Sequence, residues 1–215
     1  MKIRPLLLLV LAIFCSAFPA PAAEPIYKND FESAEVDKMP KDMLVVAGAF
    51  AVKQDKDGKC LELPGEPLDT FGFLFGPSEE ADVSAGARFF GTKKGRKYPT
   101  FGLSLNGVGG YRLQVSPAKQ ALELFKGGEE RLNVVNVPYT WASDTWTSLR
   151  IQVRKTGSSW VIEGKAWPAG SPEPEKWMIT TEDKEAIRPG RAGIWGSPYS
   201  GLPIRFDDLL LIPAK

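Results

Sequence analysis

The sequence has no histidine. That absence excludes Ser-His-Asp and Cys-His catalysis, and zinc sites built on imidazole. Cysteine is scarce: apart from Cys15 near the amino terminus there is only Cys60, so residues 23–215 can form no intrachain disulfide. Within Lys59-Cys60-Leu61-Glu62-Leu63 the residue follows strand alternation, which predicts a buried small side chain rather than a reactive thiol. Neither sign of charge dominates, with 27 Lys and Arg against 26 Asp and Glu. A balance of that kind exerts no long-range pull on nucleic acid or an anionic membrane, so no nucleic-acid partner is expected. Long apolar runs are missing as well. The longest, Pro5 to Phe14, falls short of the ~20 residues that span a bilayer, so no transmembrane segment is expected.

What the amino terminus does contain is an export signal. Lys2 and Arg4 supply a positive start, PLLLLVLAIF an apolar centre, and Ala20-Pro21-Ala22 a small-x-small cleavage site. Residues 1–22 are therefore expected to be a signal peptide, 23–215 a single domain, and the mature protein secreted or periplasmic. Cys15 raises a lipid-anchor alternative, which the bulk of Phe14 before it disfavours.

From there on the pattern has period two. Val83, Ala85, Ala87 and Phe89 alternate with Ser84, Gly86, Arg88 and Phe90; Phe101, Leu103 and Leu105 with Gly102, Ser104 and Asn106; Tyr111, Leu113 and Val115 with Arg112 and Gln114; Leu149, Ile151 and Val153 with Ser148, Arg150 and Gln152. Each run has one apolar and one polar face, as in antiparallel sheets buried on one side. Asp57-Gly58, Asn106-Gly107, Gly109-Gly110, Gly127-Gly128 and Gly157-Ser158 supply the positive φ angles of tight turns. No helical stripe is present; Thr181 to Ile187 offers at most one helical turn. The expected fold is all-β, a two-sheet antiparallel jelly-roll sandwich of about a dozen strands, in which stacking covers both apolar faces.

The runs Gly110-Tyr111-Arg112-Leu113-Gln114-Val115, Leu122-Glu123-Leu124-Phe125-Lys126 and Trp146 to Val153 resemble the concanavalin A-like lectin/glucanase jelly roll in its laminin-G-like bacterial form. The tail agrees, with Trp167-Pro168-Ala169-Gly170, Glu173-Pro174, Trp177, Gly193-Ile194 and Phe206-Asp207-Asp208-Leu209. Asn29-Asp30-Phe31-Glu32 is similar to the family's first strand, so the resemblance covers roughly residues 26 to 213. It implies a lectin-like frame, which hosts binding modules, glycosidases and adhesive spacers alike.

Glycosidases of that frame place Glu-x-Asp-x-x-Glu on one strand, and a retaining enzyme needs two carboxyl groups about 5–5.5 Å apart. The motif is absent. Glu35-Val36-Asp37 lacks a third acid, Glu62, Glu66 and Asp69 are interrupted by Pro64, Gly65 and Pro67, and Glu182-Asp183-x-Glu185 reads as a solvated turn. Asp30 and Glu32 near the first strand and Asp207 and Asp208 on the last form the best acidic constellation. If those strands pair, hard oxygens from both converge on one structural Ca²⁺, which takes about 6–8 of them. The resemblance implies a calcium site at such a seam; the alternative is that these acids cap strand ends or bind Arg205.

Candidate ligand-binding residues are Trp167 and Trp177, which bracket a proline-rich loop, and Arg88, Arg112 and Gln114, which share the water-facing parity of the middle strands. Trp146 and Trp160 are expected to pack in the core or at sheet ends. Lys93-Lys94-Gly95-Arg96-Lys97 reads as a soluble hairpin loop. The leading expectation is a non-catalytic, exported module that binds a polysaccharide or glycoconjugate. The alternatives are a glycoside hydrolase with carboxylates drawn from separate strands, or a structural module without a ligand.

Overall fold

A computed structural model describes residues 24–127, 132–185 and 187–214; the expected signal peptide at 1–22 lies outside the described residues. In chain order the strands are β1 (Tyr27–Asn29), β2 (Leu44–Ala47), β3 (Ala51–Asp55), β4 (Gly58–Leu63), β5 (Phe71–Glu79), β6 (Val83–Gly91), β7 (Thr100–Leu105), β8 (Tyr111–Ser116), β9 (Ala121–Lys126), β10 (Leu132–Pro138), β11 (Thr145–Thr156), β12 (Ser159–Pro168), β13 (Ile179–Asp183), β14 (Gly190–Ser197) and β15 (Ile204–Pro213). One short 3-10 turn, Pro117–Lys119, follows β8. The first sheet runs β13-β12-β11-β6-β15-β4-β3, and the second β10-β9-β8-β7-β14-β5-β2. β15 pairs with β4 through Ile204–Phe206 and then with β1 through Leu209–Leu211, so the first and last strands are neighbours as expected.

The alternation decides which way each strand faces. Val83, Ala85, Phe89, Leu149, Ile151 and Val153 from the first sheet meet Phe101, Leu103, Leu105, Leu113 and Val115 from the second in one buried core. Phe206 stands at its centre, with Phe89 at 5.7 Å, Phe50 at 6.0 Å and Phe73 at 6.2 Å between ring centroids. Such aromatic edge and tilted contacts add to the area each ring removes from water. Gly157-Ser158 forms the two-residue turn between β11 and β12, and Gly157 takes φ 63°, a conformation open to glycine without strain.

One segment departs from its sequence expectation. Ile179 to Asp183 is a strand, not a helical turn, and pairs with Trp160–Gly164 of β12. The physical reason is burial: Ile179 enters the core and β12 would otherwise present an open edge.

Candidate functional site

The sandwich offers two outer faces, and they differ in chemistry. On the first sheet the outward side chains form a lattice of ion pairs. Arg205 lies 2.9 Å from Glu62 and 3.2 Å from Asp55; Arg154 lies 2.9 Å from Glu163, which also accepts a hydrogen bond from Gln152 at 2.6 Å. Arg88 stands directly opposite Asp207 across the β6–β15 ladder. It reaches Asp207 at 2.6 Å and Asp208 at 2.7 Å. Asp208 sits at the register shift in this ladder with φ 50°.

These contacts redirect the calcium expectation. Asp207 and Asp208 are taken by Arg88. Glu32 accepts a hydrogen bond from the Lys59 backbone N–H at 2.9 Å, holding the β3–β4 hairpin, while Asp30 lies 3.7 Å from Lys28. Among the described residues no group of three or more His, Cys, Asp or Glu side chains comes together to hold a metal. The expected strand pairing exists, but Asp207 and Asp208 share Arg88 while Glu32 and Asp30 have partners of their own, so the four acids do not converge on one point in this structure. Thermal melts in excess calcium and in excess chelator are accordingly expected to coincide; a chelator-induced drop of several degrees would contradict this assignment.

Cys60 is buried, as expected, though on this outer face beneath the charged layer and not in the core cluster. Burial pushes its thiol up to about 12, which keeps it protonated and unreactive. Of the two tryptophans expected in the core or at a sheet end, Trp160 packs in the core and Trp146 packs half-buried at the start of β11, on the outer side, against Phe90 at 5.6 Å and beneath Arg88 at 5.2 Å. Outward parity on β11 puts it there. Trp167 and Trp177 flank Lys165 at 6.0 and 4.4 Å from their ring centroids.

Arg112 and Gln114 sit on β8 of the second sheet, so they share no groove with Arg88, which belongs to the first. Parity fixes whether a side chain faces the core or water, but it does not fix the sheet. Arg112 is also buried, only 5% exposed, with its guanidinium 3.8 Å above the Trp195 ring. Trp195 lies flat on the outer face and donates its indole N–H to Ser104 Oγ at 2.9 Å. It can lie flat because residue 72 beneath it is glycine: a Cβ there would come within 2.5 Å of the ring. The outward glycines beside Trp195 were the sequence signal for this stack.

Next to the stack lies a hollow of about 420 Å³, lined by Thr70, Thr100, Gln114, Ser116, Phe125 and Tyr199, among others. Gln114 donates to Ser116 Oγ at 3.0 Å, and Ser116 in turn donates to Glu123. Glu123 lies opposite Gln114 in the β8–β9 register and is 1% exposed. Its other oxygen accepts from Lys119 at 2.9 Å and from Asn133 at 3.1 Å. A buried carboxylate is tolerable when its lone pairs are filled in this way, and here it fixes the orientation of the donors around it. Phe125 and Tyr199 contribute half-buried and exposed rings. Sequence reasoning found Gln114 alone of this set; the outward parity of Glu123 and Phe125 on β9 was there to be read.

The fold agrees with distant solved structures. A CBM66 carbohydrate-binding module from Bacillus subtilis aligns at 13% identity over 80% of this chain and 95% of its own, with a TM-score of 0.57. A protein of unknown function with a galectin-like fold, also from Bacillus subtilis, aligns at 11% identity over 90% of this chain and 100% of its own, with a TM-score of 0.62. The Crh5 transglycosylase aligns at 14% identity over 87% of this chain and 83% of its own, with a TM-score of 0.56. At such identities the likeness establishes the jelly-roll sandwich of lectins and glucanases and nothing finer. No protein-family model and no curated protein sequence matches the chain.

Proposed function

We propose that this chain is an exported carbohydrate-binding protein whose sugar site is the hollow on the outer face of the second sheet. The observation that carries the reading is the contrast between the two faces. On the first sheet each outward arginine named above is already matched to acids, so a neutral hydroxyl would have to displace an ion pair. Around the hollow on the second sheet the donors and acceptors are the Gln114 amide and the hydroxyls of Ser116, Ser197, Thr70 and Thr100, flanked by the rings of Phe125 and Tyr199; its one lining cation, Lys119, is already paired with Glu123. Hydroxyls and amides exchange readily with sugar hydroxyls, and an aromatic face packs against the C–H surface of a pyranose. Its carbohydrate-binding and sugar-modifying structural counterparts support the same class of ligand. Binding is preferred over hydrolysis because the hollow is lined by no Asp or Glu, and Glu123 beside it has no second carboxylate among its partners.

Retention on a panel of immobilised neutral polysaccharides tests this. Gln114→Ala and Phe125→Ala are each expected to weaken binding about tenfold while leaving the melt close to wild type. Retention that neither substitution reduces would remove the hollow as the site. Release of reducing ends from the same polysaccharides would favour the hydrolase instead.

A further inference from the structure

A second hollow, of about 410 Å³, lies on the outer face of the first sheet, where the proline-rich segment after β12 folds back over β11 and β12. Arg150, Gln152, Lys165, Glu173 and Trp177 line it, with exposed Glu175 at its rim. Its chemistry breaks the rule of the rest of this face. Arg88 and Arg205 each have two acids, and Arg154 shares Glu163 with the neutral Gln152 but with no second cation among the described ion pairs. Here two cations share one acid. Lys165 Nζ lies 2.9 Å and Arg150 Nε 3.0 Å from the same oxygen of Glu173.

Lys165 is 5% exposed, which is unusual for a lysine on a sheet face. It also donates to the Pro174 carbonyl at 2.5 Å and lies under Trp177. The buried Nε of Arg150, like that of Arg88, makes no hydrogen bond although an acid lies within ion-pair distance; at Arg150 that acid is also shared with Lys165. A guanidinium in a fixed orientation matches a planar carboxylate that approaches along its N–H bonds, and Glu173, tethered to its loop, does not do so. Glu173 is 38% exposed at its side chain, so it can leave without unmaking the core.

We propose that this hollow binds the carboxylate of a uronic-acid saccharide, which takes the place of Glu173 on Arg150 and Lys165 while Trp177 packs against the sugar ring. Glu173 is then a built-in occupant that offsets one of the two positive charges of the empty site and weakens acidic ligands by competition. The site lies on the opposite sheet from the neutral-sugar hollow and does not depend on it.

Titration with trigalacturonate, followed by tryptophan fluorescence and calorimetry, tests the inference. The Glu173→Gln variant is expected to bind about tenfold more tightly than wild type, since the competent state is no longer shared with the internal carboxylate. The methyl-esterified trisaccharide should bind neither protein by this route. Arg150→Gln should abolish the weaker binding of wild type, which keeps the test decisive should Glu173→Gln not fold. Gln114→Ala should leave trigalacturonate affinity unchanged, separating failure here from failure of the neutral-sugar site. Equal affinities in wild type and Glu173→Gln, equal binding of the methyl ester, or binding indifferent to Arg150→Gln would each overturn the proposal.

Discussion

Phe206→Ala is expected to lower the melting temperature by roughly 6–20 °C, the equivalent of about 3–5 kcal/mol for a domain of this size. The ring is fully buried and touches Phe50, Phe73 and Phe89. Phe73 comes from the second sheet and Phe89 from the first, so Phe206 bridges the two layers. Truncation removes apolar area and also leaves a void between two sheets whose backbones are fixed by ladders on both sides. The surrounding strands cannot collapse into it without losing register, which argues for the upper part of the range. Leu44→Ala is the contrasting case. Leu44 lies on the edge strand β2 and is 55% exposed, so a change within about 0.5 kcal/mol is expected. Comparable losses at the two positions, in thermal melts at one pH, would mean that the stacked-sheet core does not carry stability as described.

The second large effect is a dependence on pH set by Asp207. Two influences compete there. Burial disfavours the charged carboxylate, whereas Arg88 at 2.6 Å and the Asp208 backbone N–H favour it; burial is the larger, and the group rises from its ordinary value of 3.8 to about 6. The folded protein therefore takes up a proton at Asp207 at a pH where the unfolded chain does not. This contribution to stability is fully present below about 3.8 and is lost as the pH rises through about 6. A displacement of that size is worth roughly 3 kcal/mol as an order of magnitude. Asp207→Asn has no such proton to take up. Subtracting its unfolding free energy from that of wild type, by denaturant titration across pH 4–8, should show wild type losing ground as the pH passes through 6. A flat difference would refute the assignment. Asp183 works in the opposite direction at lower pH: Lys126 and Tyr111 hold its carboxyl below the usual range against the opposing effect of burial. Its stabilisation is lost only as the medium becomes strongly acidic, so the two contributions separate on the pH axis.

Much of the fold was legible because strand alternation is a local signal. The inward sets on β6, β7, β8 and β11 emerge as the sequence lists them, and the pairing of the first and last strands was anticipated. The partners of charged side chains were not legible. Arg88 and Asp207 are 119 residues apart, and only the closed register of β6 with β15 puts them opposite each other. For the same reason Arg88 and Arg112, alike in parity, landed on different sheets. Thr181 misled because a short stretch of Thr, Glu and Asp has no strong preference of its own; pairing with β12 decides it. The stack of Arg112 on Trp195 was not legible either: it exists because β7 alone separates β8 from β14 in the second sheet. Glu123 and Phe125 could have been read from their place opposite Gln114 and Arg112, had the β8–β9 hairpin register been applied to the outer face as well as to the inner one.

The strand order also sets when the molecule can come into being. β14 runs between β5 and β7, and β15 between β4 and β6, so residues 190–213 complete the middle of both sheets and not their margins. A chain that stopped short of them would not be a smaller sandwich; it would bear open edges on β4, β5, β6 and β7, the state most prone to wrong pairing. Synthesised from its amino end, the polypeptide can form the β3–β4, β7–β8 and β8–β9 pairings early, but the facing edges of β4 and β6 and of β5 and β7 wait for the last two strands. Closure of both sheets therefore comes last, and it includes sequence separations as long as Tyr27 to Leu211, the kind of pairing that forms slowly.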